Sequence, residues 1–200
     1  MRRRFLALAA AALVFLAACS GPSHRSSGPT TTVGGRAAGS PNPDVVPPVI
    51  TPAYVNAVFA VLNHINGNAV RSMLAANAVT TTVRMDLRAI FADPLYGQEV
   101  RIADQTLAGN IQGFRTPPGD IHTTVKRLIS ASTNCVFVAT VSSFASVVQS
   151  PGPLAGAEYW VLRPKPLGDD PLNINPTPWV LSFNATYPTP TSIPNQCFAS

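Results

Sequence analysis

Trp179-Val180-Leu181-Ser182-Phe183-Asn184-Ala185-Thr186-Tyr187 alternates large apolar side chains with smaller or more polar ones at a period of two. Side chains of an extended chain point alternately to its two faces. The stretch therefore predicts a half-buried strand that turns Trp179, Leu181, Phe183, Ala185 and Tyr187 toward a core. Working back from it, the Pro-rich run 164–178 reads as a loop, and Ala157 to Arg163 as a further strand. Cys135 to Val148 is apolar on both faces in its first half, as a central strand is. Ser132-Thr133-Asn134 turns the chain between it and a strand from Ile121 to Ala131.

Upstream of Pro117-Pro118-Gly119-Asp120 the period changes. Thr51-Pro52 has the form of a helix cap with Pro at the first helical position, and Val55, Val58, Phe59, Leu62 and Ile65 follow on one helical face. Asn66-Gly67-Asn68 is expected to stop that helix and cap a short second one carrying Val70, Met73 and Leu74. Residues 79–91 read both ways. Thr80-Thr81-Thr82-Val83 favours strand, whereas Val83, Leu87, Ile90 and Phe91 favour helix, and Asp93-Pro94 ends either. Val100, Ala103, Leu107 and Ile111 fit a helix from about Gln98 to Gln112. Helices followed by antiparallel strands define an α+β fold, with N-terminal helices packed on a curved antiparallel sheet of about four strands. Residues 51–200 are long enough for one such domain and its core.

The chain opens Met1-Arg2-Arg3-Arg4, and no charged residue follows from Phe5 to Ala18. A basic start, a short apolar run and small residues before a cut site compose a secretory signal, residues 1–18. Leu16-Ala17-Ala18-Cys19 resembles the lipobox of bacterial lipoproteins. That resemblance implies a diacylglycerol on the Cys19 thiol, cleavage just before it, and a place on the extracytoplasmic face of the cell membrane. Gly21 to Pro48 is rich in Ser, Thr, Gly and Pro, so residues 19–50 read as a disordered linker between anchor and domain. Thr30-Thr31-Thr32 lies within it.

With Arg2, Arg3 and Arg4 removed from the fourteen basic residues, eleven face nine acidic ones, a net charge of +2. That balance, with Lys126-Arg127 the one adjacent basic pair of the mature chain, excludes the clustered basic stripe of a nucleic-acid binder. Two further cysteines, Cys135 and Cys197, form an even pair in an oxidising compartment and read as a disulfide. His24, His64 and His122 stand at unrelated spacings, which does not suit a metal site. No cofactor is expected.

The order of helices, an irregular segment, a long helix and four strands resembles the cone fold of the nuclear transport factor 2 superfamily. Arg101-Ile102-Ala103-Asp104 with Leu107, and Trp179-Val180-Leu181-Ser182, further resemble the third-helix and last-strand patterns of the mycobacterial low-molecular-weight secreted antigen family. The likeness covers roughly the last hundred residues; the lipobox, the Pro-rich loop and the cysteine pair depart from it. It implies an exported envelope domain without assigned chemistry. The superfamily also implies an enzyme class, isomerases and cyclases, whose general base follows the second helix. Here that stretch is Val79-Thr80-Thr81-Thr82-Val83, without a carboxylate; Asp86 is the nearest. A hydroxyl does not replace a carboxylate tuned toward neutral pH. His64 and His122 read as surface residues, and Asp169-Asp170 as a solvated turn. Phe59, Phe137, Trp160 and Trp179 read as core, with an apolar pocket between Phe59 and Trp179 a further expectation. The sequence thus points to a non-catalytic domain that binds a lipid-like ligand or an envelope protein, with an isomerase- or cyclase-type enzyme as the alternative.

Overall fold

A computed structural model describes residues 41–109, 113–149, 155–185 and 194–198. Three helices precede four strands: α1 (Pro52–Ala76), α2 (Thr81–Ile90), α3 (Leu95–Gly109), β1 (His122–Ser132), β2 (Cys135–Ser143), β3 (Ala155–Pro164) and β4 (Trp179–Ala185). The strands form one open antiparallel sheet in the order β1-β2-β3-β4. The α+β arrangement is the one the sequence predicts. Cys19, Thr30 to Thr32 and the proposed signal lie outside the described residues. Of the expected linker, residues 41–50 are described. Pro43 is buried there, and Val46 and Ile50 pack against the core.

α1 begins as expected, with Thr51 Oγ1 accepting from the Tyr54 N–H at 3.2 Å and Pro52 in the first turn. It does not stop at Asn66-Gly67-Asn68. One helix runs through to Ala76 and ends at Asn77, whose φ of 48° is left-handed. The short second helix is therefore the last third of α1. Tertiary packing overrides the local signal, since Ile65, Gly67, Ala69 and Met73 are all buried.

The ambiguous segment is helical. Thr80, which argued for strand, is the N-cap of α2, its Oγ1 accepting from the Val83 N–H. Hydroxyl side chains favour caps for the same reason they weaken helix interiors. α3 starts three residues before Gln98, at Leu95. β2 is shorter than Cys135 to Val148, ending at Ser143, after which the chain turns.

Both faces of the sheet are covered. Val125, Val136, Val138, Leu162, Trp179 and Leu181 join Val55, Val58, Phe59, Leu62, Ile90 and Leu95 in the main core beneath the helices. Phe137, Tyr159, Val161 and Cys135 form a second cluster on the outer face, with Phe183 and Cys197 packed against it. The alternation expected of 179–187 breaks inside β4. Val161 faces Phe183 while Leu162 faces Leu181, so Ser182 is a bulged residue. One extra residue shifts the phase of a strand. Trp179 and Leu181 accordingly face the helices, and Phe183 faces outward; Tyr187 lies outside the described residues.

Candidate functional site

Cys135 and Cys197 are bonded, with an S–S distance of 2.07 Å, and the bond holds the C-terminal segment against the outer face of the sheet. His64 and His122 are exposed, as expected. His64 is not isolated, however. Its Nδ1 lies 2.9 Å from Asp120 Oδ2, and Arg71 Nη1 donates to Asp120 Oδ1 at 2.9 Å. Burial pushes the Asp120 carboxyl up, but its bonds to His64 and Arg71 outweigh this and hold it below 3.8.

Asp169 and Asp170 are not a solvated turn. The Asp170 side chain is 1% exposed and accepts from the N–H groups of Ile174 (2.8 Å) and Asn175 (2.9 Å) and from Lys165 Nζ (3.1 Å). Asp169 accepts from Arg88 Nη2 at 2.9 Å. The Pro-rich composition concealed a loop folded around its own carboxylate: backbone N–H groups that no strand partner satisfies find one in Asp170.

This loop, α2 and the start of α3 enclose a concavity of about 260 Å³. Its walls include Arg84, Met85, Arg88, Tyr96, Leu172 and Ile174. Arg88 is committed to Asp93, Asp169 and the face of Tyr96, 5.1 Å from the ring centroid. Arg84, one helical turn earlier, is exposed and makes no ion pair among the described residues. Asp169 and Asp170 line it too, paired with Arg88 and Lys165, so the groove joins apolar walls to one cation, Arg84, without a counter-ion among the described residues. Phe59 and Trp179, expected to flank a pocket, are each 1% exposed within one packed cluster, and Trp179 Nε1 donates to Tyr54 Oη at 2.8 Å.

A second constellation lies on the helix-facing side of the sheet. Period two along β3 places Glu158 on the same face as Trp160 and Leu162. Ser142 Oγ donates to Glu158 Oε2 at 2.5 Å, and Trp160 Nε1 donates to the same oxygen at 3.1 Å. Thr123 and Ser142 share a hydrogen bond of 3.1 Å, and Asn63 of α1 donates to Thr123 Oγ1 at 3.0 Å. From α3, Glu99 faces this row. Burial, and secondarily the charge of Glu158, push its carboxyl from 4.5 up to about 7. Asp86 is buried on α2, where burial raises its pKa, and no hydrogen bond reaches it among the described residues. Sequence reading passed over Glu99 and Glu158. The available signal was a lone carboxylate in phase with Trp160, inside the apolar stretch 155–162 of β3.

Among the described residues no group of three or more His, Cys, Asp or Glu side chains is placed to hold a metal ion. No family model, no curated protein and no solved structure matches this chain.

Proposed function

We propose that this chain is an exported lipoprotein, anchored through Cys19, whose domain binds the apolar, anionic end of a larger molecule in the groove between α2 and the β3–β4 loop. The observation that carries the reading is the juxtaposition of Arg84, which has no ion pair among the described residues, with the apolar walls Met85, Leu172 and Ile174. At about 260 Å³ the groove falls just under the roughly 300–1,000 Å³ of whole small-molecule sites, so it suits a terminal group rather than an entire lipid. Export is supported by the Cys135–Cys197 bridge, since such bonds persist in oxidising compartments. The domain is then of the kind that the resemblance to the secreted antigen family implies. The test is native mass spectrometry of the mature protein extracted from membranes, beside Arg84→Glu and Met85→Trp variants. A diacylated chain starting at residue 19 with a small molecule lost in both variants is expected. An unmodified chain, or a ligand retained in both variants, overturns the corresponding half.

One observation favours the enzymatic alternative: a carboxyl titrating near 7 is suited to proton transfer at neutral pH, and Glu99 stands beside a hydrogen-bonded carboxylate. Under that reading Glu99, rather than Asp86, is the base. Turnover of an enolisable ketone that collapses in Glu99→Gln but survives in Asp86→Asn is its signature; no turnover in the wild-type protein ends it.

A further inference from the structure

We propose that the end of the domain carrying the β3–β4 loop is a lipid-contact surface, held against the membrane to which the chain is tethered. This rests on the anchor reading above for its setting. Val45, Val49, Leu167, Leu172 and Phe198 are the large hydrophobic residues exposed among those described, by 62% to 106%. Isolated apolar residues on a surface are ordinary. These five come from three separate segments that strand order and hydrogen bonds bring toward one end of the sheet.

The antiparallel order puts the β1–β2 turn and the β3–β4 loop at the same end, and the β2–β3 connection at the other. Leu167 and Leu172 lie on the β3–β4 loop. Phe198 follows Cys197, which is bonded to Cys135, the first residue of β2 at that end. The neighbouring Gln196 carbonyl accepts from Arg163, the penultimate residue of β3. Val45 and Val49 belong to the segment before α1. Tyr54 ties that segment to the same place, accepting from the indole of Trp179, the first residue of β4, and donating to the Pro43 carbonyl at 3.5 Å. The far end is polar: His64, Arg71 and Asp120 are paired there, and Arg115 donates to the Ala145 carbonyl.

Three further features select a lipid surface as the occupant. Pro41 lies two residues before Pro43 at the apolar end, so an anchor at Cys19 acts on the domain from this end. The 21 residues between Cys19 and Pro41 span at most about 80 Å. A tether of that reach keeps the surface at high effective concentration near the bilayer, where weak contacts suffice. The two leucines are also presented on a loop already fixed by Asp170, Lys165 and Asn175, whose Nδ2 donates to the carbonyls of Ala89 and Trp179 at 2.8 Å each, so little ordering is left for contact to impose. Finally, Arg88 and Lys165 at this end are matched by Asp93, Asp169 and Asp170, which leaves Arg84, in the groove it shares with Leu172, as a cation without an ion pair among the described residues. The contact is therefore chiefly apolar and forms on neutral lipid, with anionic lipid favoured modestly through Arg84.

The experiment places a polarity-sensitive fluorophore on Val49→Cys, Leu172→Cys or, at the polar end, Ala145→Cys, in the full lipidated protein on phosphatidylcholine vesicles. Expected are blue-shifted emission and several-fold weaker quenching by aqueous iodide at 49 and 172, with 145 open to the quencher. The pattern should persist on neutral lipid and at high salt, with anionic lipid deepening the protection at 172 only modestly. Equal quenching at the three sites overturns the proposal. So does protection of 172 that appears in intact envelopes but not on vesicles, since that identifies a protein partner. Intact mass reads the anchor separately. The same labels on the unanchored full chain, Cys19→Ser, are titrated with vesicles to millimolar lipid. Protection of 49 and 172 there supports the surface even if Cys19 proves unmodified, and its absence in both forms ends the proposal.

Discussion

The Asp120 carboxylate rests against Gly67 in the space that a β-carbon at that position would fill. Gly67 lies inside α1, and Asp120 precedes β1, so the contact docks the long helix on the loop that enters the sheet. Arg71, one turn further along α1, closes it by donating to Asp120 and to the Pro118 carbonyl. Ordinarily Gly→Ala inside a helix gains up to about 1 kcal/mol. Here Gly67→Ala is expected to lose about 1–3 kcal/mol, because a carboxylate held by Arg71 and His64 must move. Thermal unfolding of Gly67→Ala, and of Gly67→Ala with Asp120→Ala, checks this. The double variant should recover part of the loss, and a single variant more stable than wild type refutes it.

Asp170 organises the β3–β4 loop as a core side chain organises a helix pair. Burial raises its pKa, but the N–H groups of Asn175 and Ile174 and the Lys165 ammonium together hold it below 3.8. A folded pKa below the unfolded one contributes stability that is present above the unfolded value and is lost as pH falls through the folded value. Asp170→Asn should therefore cost roughly 2 kcal/mol at pH 7, within the range for bonds to charged groups. The deficit should shrink below pH 4 in urea titrations; a deficit independent of pH contradicts the assignment.

The bridge between Cys135 and Cys197 spans 62 residues of sequence. In the chain-entropy model that closure is worth about 4 kcal/mol. Cys197→Ser is expected to lower stability by about 2–4 kcal/mol and to uncover the outer cluster of Phe137, Tyr159 and Val161. Urea midpoints and binding of an apolar dye measure both effects. Peptide mapping without reductant that finds two free thiols removes the basis of the prediction.

Much of the fold is legible in the sequence because most elements follow their own periodicity. The apolar spacing of 55–65 and the continuous apolar run from Cys135 each state what they form. What was not legible depends on partners distant in sequence. Asn66-Gly67-Asn68 reads as a stop until Asp120, more than fifty residues away, occupies the space above Gly67. Trp179 to Tyr187 reads as one uninterrupted face until the pairing with β3 shows Ser182 as a bulge. Asp169-Asp170 reads as solvated until Arg88 arrives from α2 and the loop's own Lys165, Ile174 and Asn175 close on Asp170. The candidate acid pair was missed for the same reason: Glu99 and Glu158 belong to different elements, and nothing local to either announces the other.

Glu99 supplies the sharpest pH-dependent expectation. Below about 4.5 its carboxyl is protonated both in the unfolded chain and in the folded domain, where its pKa is about 7. Between those values the unfolded chain releases the proton and the folded domain keeps it, so stability falls as pH rises across the window and stays reduced above it. The gap corresponds to at most about 3 kcal/mol, and partial access to water brings the expected loss to about 1–3 kcal/mol. Glu99→Gln should match wild type near pH 4.5 and exceed it by that amount at pH 8. Glu158→Gln separates the two causes. Burial is the larger one, so removing the neighbouring charge should flatten the wild-type pH profile only in part. Urea unfolding of the three proteins at pH 4.5, 6 and 8 decides the matter. Parallel profiles for wild type and Glu99→Gln mean that Glu99 titrates as an ordinary surface carboxylate, and that the acid–base reading of this face has no support.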